Sequence, residues 1–297
     1  MHELFSPVRS LYDEYMARVR SRSRRLYGQI DSRVRQSVPV MNLGTYLRTV
    51  AIDVALLQFI ERAGPDTPVQ VVNLGSGSDL RMVQYLSVFP QIVKFLDVDF
   101  EEAVAFKGQV IDTTTQLKQI VEQYTREGRY ELLSIDLCDV QHAMELLTTH
   151  TRTDVATVFI TECLLCYIPQ RESQLLIDSI QGAYSTGTPG GNLWVSYDPI
   201  GGSAPNDRFG KIIERKLAHV QEPRLAHSAR LQLKGDVRSS VAKAIDHCNV
   251  VIRDMWQFLQ EKVTDEEKKR VAALQFLDEL EELKVMQTHY VILSAQW

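Results

Sequence analysis

Two glycines stand where a protein backbone could approach a small ligand. Gly75 and Gly77 directly follow the apolar run Val69–Leu74 and precede a segment with helical spacing of apolar residues. Glycine has no side chain and accepts a positive φ, so a ligand can lie close to the main chain at such a turn. The pattern is Gly-x-Gly-x-x-Leu and lacks the third glycine of the dinucleotide-binding fingerprint. The pair alone is a weak signal, because a tight turn would also account for it.

Acidic residues at the end of the next predicted strand strengthen this signal. Asp97 and Asp99 lie about two dozen residues after the glycines, where an acid can accept hydrogen bonds from both hydroxyls of a ribose. Side chains alternate along a strand, so both acids point the same way and one of them could be only structural. Asp99 is nearer the carboxyl end of the strand and is the favoured ligand. The sequence thus predicts a site for an adenosine-containing ligand.

Two further acids help to discriminate between cofactors. Asp136 and Glu162 lie at the predicted carboxyl ends of the third and fourth strands, the edge at which open α/β sheets bind ligands. With Asp79 and Asp99 they would place four carboxylates around one pocket. Such a pocket would repel the pyrophosphate of a dinucleotide and attract the sulfonium and ammonium groups of S-adenosylmethionine. This argument favours a methyltransferase over a dehydrogenase, although each acid taken singly could be a helix cap.

No motif for a metal centre or a hydrolase accompanies these residues. Cys163-x-x-Cys166 is a single pair, without a second pair or a suitably spaced histidine to complete a four-ligand zinc site. It lies in an apolar segment, so both cysteines are expected to be buried packing residues. The sequence also lacks a Gly-x-Ser-x-Gly elbow, a His-Glu-x-x-His motif and a phosphate-binding Gly-Lys-Ser/Thr loop. We expect no metal in the site.

An alternation of short apolar runs and helical stretches must position these residues. Continuous apolar runs are typical of strands buried on both faces. Strands separated by helices predict a parallel sheet with helices on both of its faces. We therefore predict an α/β fold with a seven-stranded sheet, its strands at Val69–Leu74, Ile92–Val98, Tyr130–Leu137, Val155–Thr161, Asn192–Tyr197, Val250–Arg253 and His289–Ala295.

The remaining segments suggest how the chain is organised around this sheet. A helix from about Thr45 to Ala63 belongs to a predicted N-terminal helical lid, residues 1–64. Residues 65–297 form the sheet domain, with an insertion at about 199–248 in which Asp207–Val220 has a helical pattern. The segment Glu261–Lys284 mixes both signs of charge and predicts an exposed helix.

Composition limits the class of protein. The 297-residue chain is 44% hydrophobic and 24% charged, which is typical of a soluble globular protein and excludes disorder. We find no long apolar run and no signal-peptide core, and expect no membrane association. Four cysteines without a secretory signal predict reduced thiols and a cytoplasmic, or also nuclear, location. The net charge of −5 argues against nucleic acid, and the arginine-rich residues 1–50 are interpreted as a solvated helix face.

From about Pro39 to Trp297 the chain resembles the leucine carboxyl methyltransferase family, particularly its fungal members. The resemblance rests on PVMNLGTYLRTVAID (39–53), VVNLGSGSDLRM (71–82), ECLLCY (162–167), SYDPIGGSAPNDRFG (196–210) and LQFLDELEELKVMQTHY (274–290). It implies a seven-stranded, Rossmann-like methyltransferase fold and a reaction that methylates the C-terminal leucine of the protein phosphatase 2A catalytic subunit. It also implies that S-adenosylmethionine is held by Arg48, Gly75, Asp99, Asp136, Leu137 and Glu162.

The sequence departs from the family pattern in places, and other functions stay open. Some members carry a basic residue at the position of Ser37 and an arginine at that of Leu43, and an N-terminal Lys and Gly-Tyr pattern is not found before His2. If these departures prevent cofactor binding, the protein would be a non-catalytic module that binds the phosphatase without methylating it. Another alternative is the related carboxyl methyltransferase that acts on a modified guanosine of transfer RNA.

The implied reaction needs few catalytic residues. The carboxyl group of a chain terminus has a pKa of about 3.5 and is ionised at neutral pH, so no general base is required. Arg48 is assigned to the carboxylate of the cofactor, because an arginine on the attacking carboxylate would stabilise the ground state. Tyr167, just after the fourth predicted strand, is the candidate for orienting the leucine carboxylate; a tyrosine packed in the core is the alternative.

Overall fold

The central sheet positions the candidate site. The computed structural model describes residues 39–184, 190–200, 207–213, 249–274 and 280–297. Within these residues one sheet has seven strands in the order β3-β2-β1-β4-β5-β7-β6, which confirms the predicted α/β class. The strands are β1 (Val69–Leu74), β2 (Ile92–Asp99), β3 (Tyr130–Ser134), β4 (Ala156–Glu162), β5 (Leu193–Pro199), β6 (Asn249–Asp254) and β7 (Tyr290–Gln296).

The sheet is mixed, because β7 runs against its neighbours. Strands β1 to β5 pair in parallel, whereas β7 is antiparallel to both β5 and β6. β7 begins beside the ends of these strands, since Tyr290 lies opposite Pro199 and Val291 lies opposite Asp254. The chain therefore enters β7 at the edge where β5 and β6 end, and the expectation of a wholly parallel sheet is wrong for this strand.

Helices cover both faces of the sheet. The helices are α1 (Pro39–Ala63), α2 (Arg81–Val88), α3 (Glu101–Thr113), α4 (Thr115–Arg126), α5 (Val140–His150), α6 (Gln170–Ala183), α7 (Met255–Lys262), α8 (Asp265–Leu274) and α9 (Leu280–Gln287), together with a helical segment at residues 208–213. Adjacent residues of β1 show the two-sided burial, because Val71 and Val72 belong to separate hydrophobic clusters. Side chains that alternate along a strand face opposite sides, so each cluster fills one side of the sheet.

Helix α1 is a core helix of this domain. It is long and apolar enough to span a membrane by length and composition alone. However, Leu47, Ile52, Leu56 and Ile60 are fully buried and pack with residues of the sheet in one cluster. Burial in the protein thus accounts for the apolar composition. Residues 1–38 of the predicted lid lie outside the described residues, so the lid and the domain division stay predictions.

Helix α1 begins at Pro39 and not at about Thr45, and two further predicted elements differ in extent by more than two residues. β3 ends at Ser134, so Asp136 and Leu137 lie in the loop that follows it and do not close the strand as predicted. The predicted helix Glu261–Lys284 is interrupted after α7, and the hydroxyl of Thr264 accepts a hydrogen bond from Glu267 N (3.3 Å) at the start of α8. In the predicted insertion, residues 208–213 are helical, and 201–206 and 214–248 lie outside the described residues.

Candidate active site

The glycine turn joins the end of β1 to the neighbouring strand β2. Gly75 and Gly77 have φ of +70° and +46°, which disfavours any residue with a side chain. The amides of Gly75 and Ser76 donate to the carbonyl of Val98 at 2.8 and 2.9 Å. A Cβ at position 75 would lie 2.8 Å from Leu164 Cδ1, whereas one at Gly77 would meet nothing within 4 Å. The turn is closely packed on one side, with open space at Gly77.

Asp99 faces this turn. Its carboxylate accepts hydrogen bonds from Gly77 N at 2.6 Å and from Phe100 N at 2.8 Å, and it remains partly exposed. Each carboxylate oxygen offers two lone pairs, so Asp99 can still accept bonds from a ligand. Asp99, the residue predicted to bind the ribose, therefore lies next to the predicted glycine turn.

Asp97 has a different environment. It is 1% exposed and accepts bonds from Lys107 Nζ (2.8 Å), Tyr130 OH (2.9 Å) and Asn73 Nδ2 (3.1 Å). Burial raises the pKa of Asp97, although the ammonium group of Lys107 opposes this shift. Asp97 is thus a buried structural residue, which leaves Asp99 as the partly exposed acid of the pair.

The loop after β3 lies beside the end of β2. Ile135 N donates to the carbonyl of Asp99 at 2.9 Å, which holds the two segments together. Asp136 is exposed and its carboxylate accepts a bond from Cys138 N at 2.9 Å. The side chain of Leu137 is buried in the second hydrophobic cluster, so only its main chain is placed to contact a ligand.

A buried arginine that sequence reasoning did not select connects three parts of the site. Arg81 Nε lies 3.0 Å from Asp53 Oδ1 of α1. Its Nη1 lies 2.7 Å from Asp79 Oδ2 in the glycine-turn loop and 2.9 Å from Glu162 Oε2 at the end of β4. Burial opposes the charged form, but these three carboxylates raise the pKa of Arg81 well above its usual value. The sequence feature that points to Arg81 is a charged residue next to apolar residues, two positions after Asp79.

Arg48 approaches Glu162 from helix α1. Its Nε lies 2.7 Å from Glu162 Oε1, and its guanidinium carbon lies 5.9 Å from the centre of the Tyr197 ring. Burial opposes ionisation, but Glu162 outweighs it and raises the pKa of Arg48. Among the described residues, the buried Nε finds no partner with hydrogen-bond geometry. About a third of the side chain is exposed (32%), so Arg48 can still contact a ligand.

These ion pairs change the expected charge of the pocket. Asp79 is bound by Arg81, which together with Lys107 outweighs burial and lowers the pKa of Asp79. Glu162 is bound by both Arg48 and Arg81. The expectation of four uncompensated carboxylates is therefore wrong for Asp79 and Glu162, because two arginines balance them. Asp99 and Asp136 are held by main-chain amides and keep the negative character of the rim.

Tyr167 lies on a single 3-10 turn, Leu165–Tyr167, shortly after β4. It is 47% exposed, so it is not the core-packed tyrosine of the alternative interpretation.

Cys163 precedes the turn with a φ of +52°, and its amide donates to the carbonyl of Tyr197 at 2.7 Å. Cys163 and Cys166 are only partly buried, contrary to the expectation of full burial. Burial nevertheless raises the pKa of the Cys163 thiol to about 12, so it is not a thiolate nucleophile.

The residues present fit S-adenosylmethionine. Three strand ends that are adjacent in the sheet bring together Gly75, Asp99 and Glu162. Open space at Gly77, the remaining lone pairs of Asp99 and the partly exposed side chain of Arg48 suit the adenosine and amino-acid parts of that molecule. This is the carboxyl edge of the sheet at which α/β folds bind ligands.

Comparison with known proteins decides the family. The model of the leucine carboxyl methyltransferase family matches residues 6–181. The chain belongs to the leucine carboxyl methyltransferase family. It is 37% identical to leucine carboxyl methyltransferase 1 of Kluyveromyces lactis, over 96% of this chain and 86% of that protein, and equally similar to that of Eremothecium gossypii, with the same coverage.

A solved structure agrees with the family assignment in its fold. A Thermobifida fusca protein, described as a candidate methyltransferase, aligns with a TM-score of 0.50 at 12% identity, covering 83% of this chain and 79% of that one. At this identity the likeness shows the fold alone. The chain is thus a methyltransferase of this family with S-adenosylmethionine as its cofactor, and the dehydrogenase alternative is excluded.

Proposed function

We propose that this member of the family transfers the methyl group of S-adenosylmethionine to the C-terminal leucine carboxylate of the protein phosphatase 2A catalytic subunit. The observation that carries the proposal is the extent of the similarity: relatives named leucine carboxyl methyltransferase 1 are 37% identical to this chain over 96% of its length. The resemblance of the sequence motifs to this family points to the phosphatase as the protein that carries the leucine.

Residues of three strand ends and of α1 would hold the cofactor. The Asp99 carboxylate accepts hydrogen bonds from the ribose, and the main chain at Gly75 allows close approach. The Arg48 guanidinium binds the carboxylate of the cofactor, and Glu162, fixed in place by two arginines, accepts from its ammonium group. When bound, S-adenosylmethionine supplies an electrophilic methyl group on a positively charged sulfur.

The leucine carboxylate is the nucleophile and arrives ionised. With a pKa of about 3.5 it needs no base at neutral pH. The Tyr167 hydroxyl donates one neutral hydrogen bond to it, which orients the carboxylate and stabilises its charge less than an arginine would. Positive and negative charges cancel in the transition state, so excluding water favours the step. Holding the reactants at attack distance can supply roughly 7–11 kcal/mol.

The decisive test is transfer of labelled methyl to the purified phosphatase catalytic subunit, with and without its terminal leucine. Label should enter only the intact subunit and be released by mild base, as expected of an ester. Label in the subunit that lacks the leucine, or no label in either, contradicts the proposal. Transfer RNA is tested in parallel, because its labelling would identify the related activity.

Calorimetric titration tests the cofactor site separately from turnover. Arg48→Ala and Asp99→Ala should each weaken S-adenosylmethionine binding about 10- to 100-fold, because a hydrogen bond to a charged group contributes roughly 1.5–3 kcal/mol. Asp154→Ala is the matched control, since Asp154 is exposed and pairs with Arg152 before β4, away from the carboxyl edge. Unchanged affinity in both site variants would show that the pocket is assigned wrongly. The tyrosine is tested by Tyr167→Phe, which should lower kcat and leave cofactor affinity unchanged.

A further inference from the structure

Asp198, at the end of β5, is an acid that the proposed mechanism does not use. Its Oδ2 accepts a hydrogen bond from Ser196 Oγ at 2.6 Å, and its Oδ1 accepts one from Cys166 N at 3.2 Å. Cys166 is the middle residue of the 3-10 turn that ends at Tyr167. The carboxylate thus joins the last residues of β5 to the turn that carries the proposed substrate-orienting residue.

The turn depends on such outside contacts. It is three residues long, and its internal bonds run from Tyr167 N to Leu164 O (2.9 Å) and from Ile168 N to Leu165 O (3.3 Å). Short 3-10 turns have poor hydrogen-bond geometry, and their first amides have no partner within the turn. The amide of Cys166 is one of these, and Asp198 accepts from it. Because Tyr167 is 47% exposed, the hydrogen bonds of the turn contribute to where its ring lies.

The surroundings of Asp198 indicate that it acts as an acceptor of hydrogen bonds. Burial raises the pKa of Asp198 to about 6, and the bonds from Ser196 and Cys166 oppose that shift. The titratable groups that face it on the neighbouring turn are Cys163, Cys166 and Tyr167. Burial raises the pKa of all three, so they are neutral at physiological pH. Its contacts on this side are therefore with neutral groups.

We propose that Asp198 is a positioning residue for methyl transfer: by accepting hydrogen bonds from Cys166 N and Ser196 Oγ it fixes the turn that places the Tyr167 hydroxyl on the leucine carboxylate. This inference rests on the proposed function. It requires one atom at the end of the side chain that accepts from Cys166 N and another that can form a hydrogen bond with Ser196 Oγ, and it does not require a negative charge.

Two substitutions separate these requirements. Asparagine at position 198 keeps an oxygen that accepts from Cys166 N and an amide that donates to Ser196 Oγ, whereas alanine removes both contacts. Asp198→Ala should lower kcat for the phosphatase about 10- to 100-fold, as expected when a reactant is misplaced by about 1 Å. Asp198→Asn should stay within about threefold of the wild type. Cofactor affinity should be unchanged in both, and the exposed-site control Asp154→Asn should behave as the wild type.

A lowered kcat at unchanged cofactor affinity, rescued by asparagine, distinguishes positioning from a general structural role. The pH dependence then tests whether the negative charge of Asp198 is needed. The ratio of wild-type to Asp198→Asn rate is measured from pH 5.5 to 8, so effects of pH on the phosphatase cancel. A positioning role predicts a constant ratio, because a protonated Asp198 is shaped like asparagine and still accepts from Cys166. A ratio that grows as the pH rises through about 6 overturns the proposal, because the charge itself would then be needed.

Other outcomes are equally clear. Asp198→Asn as inactive as Asp198→Ala, or Asp198→Ala as active as the wild type, overturns this inference alone. If Asp198→Ala does not fold, Ser196→Ala replaces it: removal of one of the two contacts should lower kcat by a smaller factor, and an unchanged kcat counts against the proposal. A wild-type protein that does not methylate the phosphatase overturns the proposed function, and this inference with it.

Discussion

Replacing Arg81 by methionine removes the cation that Asp53, Asp79 and Glu162 share. Arg81 is 6% exposed, and the carboxylate side chains are 13%, 21% and 20% exposed. Removing one partner of a buried ion pair costs about 3–5 kcal/mol. Each acid keeps another donor, from Tyr85, Asn73 and Arg48 respectively. We therefore expect the lower end of the range, about 3 kcal/mol of unfolding free energy, or roughly 6–12 °C in Tm for a domain of this size.

The loss should depend on pH. In the wild type, Arg81 outweighs burial and lowers the pKa of Asp79, so this acid stabilises the fold above its unfolded pKa and stops doing so as the pH falls. In the variant, burial without this cation raises the folded pKa of Asp53 and Asp79 above their unfolded values of about 4. An acid whose folded pKa is raised destabilises the fold at neutral pH, and protonation removes that penalty. The stability difference between the two proteins should thus narrow from pH 7 to pH 4.5.

Urea unfolding at several pH values measures this directly. Arg152→Met is the control, because Arg152 makes an exposed ion pair with Asp154 and its loss should leave stability unchanged. The double variant Arg81→Met, Asp53→Asn should regain part of the stability, because it removes one of the unpaired acids. If Arg81→Met were no less stable than the control, or if its loss were the same at every pH, the assignment of Arg81 as the shared cation would be refuted.

Two further predictions concern stability. Gly75→Ala should lower the free energy of unfolding by about 2–3 kcal/mol, since it combines a φ of +70° with a Cβ 2.8 Å from Leu164. Gly77→Ala should lower it by about 1 kcal/mol, because its Cβ meets nothing within 4 Å. Equal shifts in Tm for the two variants would exclude the Leu164 contact as the cause. Lys107→Met should cost about 3–5 kcal/mol by leaving Asp97 buried without its cation, and adding Asp97→Asn should recover part of it. A double variant no more stable than Lys107→Met would contradict the pairing.

Local patterns were enough to predict most of the strands. Val69–Leu74 has the same bounds in the structure as in the prediction, because a continuous apolar run ends abruptly at Gly75. The ends of β2 and β4 at Asp99 and Glu162 were predicted to within one residue, since a charged residue follows an apolar run in each case. The end of β3 was wrong, because Ile135 and Leu137 continue the apolar pattern while their side chains are buried in a loop.

The sequence by itself determined the α/β class, the glycine turn and the acids at two strand ends, because each depends on residues near one another in the chain. Tertiary structure alone decided how those acids are compensated. Arg81 meets Asp53 and Glu162 from distant parts of the chain, and Asp198 reaches the turn of Tyr167 from another strand. The direction of β7 also depends on tertiary structure, because the preceding helices bring the chain back to the sheet at the edge where β5 ends. Charge pairing and strand pairing depend on distances in space, which the spacing of residues along one chain does not specify.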